Sequence, residues 1–472
     1  MNLKTLLKQT SLVLLSSILG LLLLTAVRYI PTNILIDNLA ESQWQIGQHL
    51  TDTIIDSPII GSAHSDYYTD SVTLNLASYQ SEKGDAFKDA VNNPYYGVFA
   101  GEQSAFVITV DAIKKGEVPD LSLTEYGRMW VGSLVIIKPL LVFFNYYQIL
   151  FIVGLSLTAL SILTGFIIYK KRKDYLLFFL LFIFLLNPFI LFRNYAYCTS
   201  FGIILLTLLL MFHKNRYLDK EKTFIMATIS GILCQFFDFW SYPLLTLTIP
   251  LLFYVSLTYQ PGKTTFRERF QDMLFYTISW GIGWVFMWLI KWLIYAMTSA
   301  SPGNVLEKIL LRLSASDGGV KISYLGLILK NFSMMLKATT SVLALLLLFI
   351  LIYLLFVNKR FDEVDAPIWP LLMFVTHPAL CFSGVLFLLT KRFKSTVKYG
   401  NAIYLFIILA PFIWFAILKN HSFVHAFFVY RLLFTIPLAL AFYVYDSAKV
   451  FAFLERKGVD ENSDISAVSD SI

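Results

Sequence analysis

Cysteine is scarce in this chain: its 472 residues include three, Cys198, Cys234 and Cys381, each inside an apolar stretch and none at metal-ligand spacing. Neither a disulfide framework nor a zinc site is implied, and cysteine leaves the redox compartment open. Charge is also sparse, with Asp, Glu, Lys and Arg at 15% against roughly 25% in an ordinary soluble domain. That shortage argues against a soluble globular chain and for a polytopic membrane protein. The net charge of +7 does not imply nucleic acid, because the basic residues fall in short clusters between apolar runs, the pattern of cytoplasmic loops. No clean small-x-small cleavage site follows the first apolar run, and Arg28-Tyr29 closes that run like an interfacial anchor, so it reads as a retained span. No internal repeat is visible.

Apolar runs dominate what is there. Hydrophobic residues make up 57% and aromatics 16%, and mean hydropathy is +0.66. After Leu12–Val27, runs long enough to cross a bilayer recur at Tyr147–Tyr169, Tyr175–Phe192, Tyr195–Phe212, Phe224–Trp240, Leu244–Tyr259, Leu274–Met297, Ser341–Val357, Ile368–Leu389, Ala402–Leu418 and Leu432–Tyr445. The expected fold is an all-α polytopic membrane protein, a bundle of about 10–12 transmembrane helices with a large helical first extracytoplasmic loop. The bundle occupies 1–457, with outer segments at 28–145 and 299–340. The remaining 458–472 reads as a disordered acidic tail, Ser-rich and free of aromatics.

Basic clusters at Lys4 and Lys8, Lys170–Lys173, His213–Lys222, Lys263–Arg269, Lys359-Arg360, Lys391–Lys398 and Lys449–Lys457 are expected on the cytoplasmic side, which places both termini inside. Lys359-Arg360 and Lys391-Arg392 flank a single apolar run broken by Pro370 and Pro378. Two half-helices entering and leaving on the cytoplasmic side restore parity; one full span with Lys391–Lys398 outside is the alternative. Leu306–Leu313 in the second outer segment is patterned as a short amphipathic helix. The first outer segment, Arg28 to Asn145, holds 14 of the 31 carboxylates and 7 basic residues.

In so apolar a chain, paired carboxylates on a water-facing loop are candidates for general acid/base work. Asp66 and Asp70, in Asp66-Tyr67-Tyr68-Thr69-Asp70, share one face if helical, where each raises the pKa of the other; an ordinary acidic turn is the alternative. Trp130, Arg128 and Lys138 suit an outer interface, with the ring as anchor and the cations open to lipid phosphates. Asp238, among aromatics at the outer end of its run, needs a partner such as Tyr242 or a basic group, and a structural role fits it better than catalysis. Lys291, Arg193 and Arg312 near the outer face can neutralise a phosphate or snorkel to headgroups. His421 and His425, four residues apart, lack the interposed Glu of a zinc protease and can serve in metal binding, proton shuttling, phosphate contact or capping. Arg431 opens the last span from outside, placed for a phosphate at the membrane surface.

Taken together, Asp66-Tyr67-Tyr68-Thr69-Asp70 with Leu74-Asn75-Leu76-Ala77, Tyr126-Gly127-Arg128-Met129-Trp130-Val131-Gly132 through Lys138-Pro139-Leu140-Leu141, Phe237–Pro243, and Asn420-His421-Ser422 with His425, Phe428 and Arg431 resemble a group of polytopic membrane proteins of Gram-positive bacteria. Their architecture looks like the GT-C class of glycosyltransferases, over roughly residues 10–450. The resemblance implies a polyprenyl-phosphate-linked sugar donor, a cell-envelope polysaccharide, glycolipid or protein acceptor, and reaction on the outer face among membrane lipids. It implies Asp66 or Asp70 as general base, Asp66 preferred and Asp70 as helper or metal ligand, with a divalent cation such as Mg or Mn if one is used. Arg431, Arg312 and Lys291, with His421 and His425, would bind the donor phosphate, and Arg128, Asp238 and Tyr242 would support the site. The better-known members carry an Asp-Glu pair where this chain has Asp-x-x-x-Asp. A transporter or flippase of lipid-linked sugars and a non-catalytic envelope-assembly subunit are the alternative functions.

Overall fold

Caps written in the sequence start several of the long helices. Asn145 and Gln148 form a capping box before helix Tyr146–Arg172, Thr265 and Glu268 form another before Phe266–Thr298, and Asp219 caps Lys220–Phe237. In each, a side-chain oxygen takes one of the backbone N–H groups that a helix leaves unpaired at its start. The computed structural model describes residues 3–46, 53–57, 61–80, 84–97, 99–100, 103–299, 307, 310–311, 313–317, 319–337 and 400–456. Arg312, Cys381, the Pro370–Pro378 hairpin, the runs Ser341–Val357 and Ile368–Leu389, most of Leu306–Leu313 and the tail lie outside the described residues.

Five described helical segments are long and apolar enough to cross a membrane: Leu3–Arg28, Tyr146–Leu186, Tyr195–His213, Phe266–Thr298 and Ala426–Ser447. Leu244–Leu257 and Ile403–Ile417 are apolar but shorter. The run expected over Tyr175–Phe192 stops at Leu186, where Asn187 turns left-handed at φ +55° and Pro188 cannot continue the helix. The run expected over Ala402–Leu418 is two short helices, Ile403–Ile408 and Ala410–Ile417, divided ahead of Pro411.

The bundle has two unlike ends. At one, Lys8 pairs with Glu221 and Lys220 with Asp272. There too Arg269, 2% exposed, meets Asp446 at 3.0 Å, and Asp446 also accepts from Tyr404, Ser256 and Lys449. Arg269 donates as well to Asn401 Oδ1 and the Gly400 carbonyl through its terminal nitrogens, while its Nε has no acceptor among the described residues. At the other end sits the segment from Tyr29 to Asn145. Here the expectation of a helical loop is corrected in part: short helices alternate with two-stranded antiparallel ladders, Thr53–Ser57 with Gly61–His64, Pro94–Tyr96 with Leu123–Glu125, and Phe99–Ala100 with Gln103–Ser104.

The interfacial placement expected for Trp130 and Lys138 is also overturned. Both are fully buried, and the Trp130 indole donates to the Met287 carbonyl at 2.9 Å. Helix Leu134–Leu140 buries Leu134 and Ile137 in a second core with the first helix, so its apolar face is satisfied by protein instead of lipid.

Helices Lys220–Phe237 and Phe266–Thr298 touch backbone to backbone. A Cβ on Gly231 would stand 2.2 Å from the Trp280 carbonyl oxygen, and one on Gly283 would stand 2.2 Å from that of Thr228. Small residues permit such an approach and nothing larger does. Gly231→Ala therefore costs about 3 kcal/mol, read as a lowered melting temperature in detergent. Gly281→Ala, on the same helix with nothing within 4 Å, leaves the melt unchanged or slightly raised.

Candidate functional site

Asp66 stands ahead of helix Tyr67–Ser78 as its N-cap. Its Oδ1 accepts from the Thr69 backbone N–H at 3.1 Å and its Oδ2 from the Thr69 hydroxyl at 2.6 Å, while its own N–H donates to Asn194 Oδ1. The residue is 1% exposed. Burial pushes its carboxyl above the ordinary carboxylate range; the two Thr69 bonds and the charge of Arg431 pull the other way. Asp66 and Arg431 thus share one neighbourhood.

Asp70, one turn on, points into another element. Its oxygens accept from Asn194 Nδ2 at 2.9 Å, Tyr195 N at 3.2 Å and Ala196 N at 3.1 Å. Asn194, the residue at the cap position of helix Tyr195–His213, makes no capping bond itself. Asp70 supplies that cap from 125 residues away and places a carboxylate at the positive end of the helix. Burial raises its pKa to about 7, the Tyr146 hydroxyl opposes the rise, and the like charge of Asp66 adds to it.

Beside Thr69 lies a cavity of about 590 Å³. Tyr68, Thr69 and Val72 line it from the loop helix, Tyr126, Arg128 and Met129 from the following loop, and Trp284, Trp288 and Trp292 from the last turns of Phe266–Thr298. Opposite them stand Trp414, His421, His425 and Phe428. Arg128 lies over the Tyr126 ring at 4.2 Å, and the two histidine rings are 4.8 Å apart. The cavity therefore combines a broad aromatic wall with three cationic or protonatable side chains at the loop-bearing end of the bundle.

The turn Asp238–Ser241 shapes one wall. Trp240 adopts φ +64°, a left-handed backbone that is costly for a bulky side chain. Asp238 holds the turn by accepting from Ser241 N at 2.9 Å and the Thr199 hydroxyl at 3.3 Å, and the Trp240 carbonyl meets His421 Nε2 at 3.3 Å. Tyr242, expected as the partner of Asp238, donates instead to the Tyr197 carbonyl.

Two candidates for donor phosphate lie away from this cavity. Lys291 is 1% exposed and donates to the Ala90 and Val91 carbonyls at 3.1 and 2.6 Å, closing the C-terminus of helix Ala86–Asn92. Arg431 is buried over the Tyr197 ring at 4.2 Å and the Tyr430 ring at 4.9 Å, behind the cavity wall. Asp66 and Asp70 do not present a joint metal face, because N–H and O–H donors occupy the oxygens of both. Among the described residues no group of three or more His, Cys, Asp or Glu is arranged to hold a metal ion. The tryptophan wall was the part unread from sequence, although Trp284, Trp288 and Trp292 recur every fourth residue and so share a helix face. No protein-family model, curated protein or solved structure matches the chain.

Proposed function

We propose that the chain is a membrane glycosyltransferase of the GT-C class, moving a sugar from a polyprenyl-phosphate donor to a cell-envelope polysaccharide, glycolipid or protein. The observation that carries this reading is the cavity, where Thr69, hydrogen-bonded to a buried carboxylate, faces Arg128, His421 and His425 across aromatic walls. The end rich in Lys and Arg lies in the cytoplasm with both chain termini, and the loop end lies outside, following the charge bias of membrane proteins.

In the proposed reaction the acceptor hydroxyl attacks the anomeric carbon and the bond from that carbon to the phosphate oxygen breaks, with inversion. The bonding pair leaves with the phosphate. The acceptor proton passes to the Thr69 oxygen as the Thr69 proton passes to Asp66, so the base acts through the hydroxyl that fronts the cavity. Arg128 with His421 and His425 meets the departing phosphate. Arg431 is a positioning residue that favours the ionised form of Asp66. No step uses a divalent cation.

The reading is tested with purified protein in nanodiscs, radiolabelled polyprenyl-phosphate hexoses and envelope membranes as acceptor. Sugar incorporation with release of polyprenyl phosphate is the expected result; movement of intact lipid-linked sugar between leaflets, with no bond broken, overturns it. Within that assay Arg128→Gln lowers kcat/KM for donor about tenfold, with the loss in kcat as the leaving phosphate loses its cation.

A further inference from the structure

Five of the nine tryptophans line the one cavity beside Thr69. Trp284, Trp288 and Trp292 form a stripe about 12 Å long on their helix, and Trp240 packs against the first two at 5.4 Å. The indole N–H of Trp284 and that of Trp414, whose rings stand 5.9 Å apart, have no acceptor among the described residues. Trp284 is 8% exposed. Buried indole N–H groups ordinarily find a partner.

A hydrocarbon tail covers aromatic faces but offers no acceptor to an N–H, and aliphatic side chains would serve it as well. A glycan offers both. The C–H faces of its pyranose rings stack on indoles, and its hydroxyl and ring oxygens accept hydrogen bonds from donors such as Arg128 on the cavity wall and, once a ring turns outward, from the enclosed indole N–H groups. The stripe is longer than one pyranose ring.

We propose that the Trp284–Trp288–Trp292 stripe, with Trp414, is a track for an oligosaccharide chain, so that the acceptor is a glycan of several units held by its length and not a lone hydroxyl. This rests on the transferase reading for the purpose of the track, although sugar binding is measured without any transfer.

The protein in nanodiscs is titrated with cellohexaose, maltohexaose and chitohexaose, and separately with decaprenol, reading intrinsic fluorescence. At least one hexasaccharide quenches the signal at millimolar concentration, and its Kd rises about tenfold in Trp288→Leu and in Trp292→Leu. Trp288→Phe, which keeps an aromatic face, stays within about threefold, as does Trp44→Leu, an exposed site outside the cavity lining. Melting curves establish that each variant is folded. If none of the three sugars binds, or if decaprenol alone gives the Trp288-dependent signal, the track is wrong. Failure of the transferase reading looks different: sugar binds through Trp288 and no donor is consumed.

Discussion

Asp66→Asn leaves the protein folded and lowers transfer about 10²–10⁴-fold, the range that general-base catalysis contributes. The separation is clean because of what Asp66 does structurally. It caps helix Tyr67–Ser78 through one oxygen, and asparagine caps as well as aspartate, so the melting curve moves by no more than about 0.5 kcal/mol. What is lost is the second oxygen, the acceptor for the Thr69 hydroxyl. Thr69→Val keeps the carboxylate and removes the hydroxyl that faces the cavity, and it lowers transfer as well. If Asp66→Asn retains full transfer while folded, Asp66 is not the base.

Asp70→Ala gives the opposite result, a loss of about 2–4 kcal/mol of stability. Removing this carboxylate strands Ala196 N–H and the Asn194 amide at a buried helix start and leaves Tyr195 N–H only the Tyr146 hydroxyl. Asn at 70 rescues only partly, since its NH2 would face other donors. The pH dependence carries a definite sign. Asp70 has its pKa raised from 3.8 to about 7 in the folded protein, so between those values the folded state keeps a proton that the unfolded chain has released. Stability from this group therefore falls as pH rises from about 4 to about 7 and is level above. Asp66, raised by burial, adds a slope of the same sign. Melting temperatures across that range should show a wild-type slope that is shallower in Asp70→Ala; an unchanged slope would mean that Asp70 stays ionised throughout.

The pair Asp66 and Asp70 also marks how far the sequence could be read. Four-residue spacing suggested a shared helix face, but Asp66 stands ahead of the helix as its cap while Asp70 lies in the first turn, and of the two only Asp70 is raised by the charge of the other. Their roles were illegible because each is set by a distant partner: Asn194 and Ala196 for Asp70, Thr69 and Arg431 for Asp66. Lys291 misled for the same reason. A lone lysine near a span end looks like a phosphate ligand until the carbonyls of Ala90 and Val91 are seen to receive it. Caps such as Thr265 with Glu268 are local in sequence and can be read directly. The tryptophan wall joins residues from positions 240, 284–292 and 414, so three of its five tryptophans had a periodic signal and the other two had none.

The Arg269–Asp446 pair has a bearing on which helices can separate. Counting along their shared helix, Arg269 lies about 22 Å from Trp284, so an ion pair ties this helix to its neighbour far from the cavity. Parting helices Phe266–Thr298 and Thr435–Arg456 there would strip Arg269 of its carboxylate, at about 3–5 kcal/mol, while Asp446 would keep Lys449 of its own helix. A molecule that enters and leaves at the cavity need not part them.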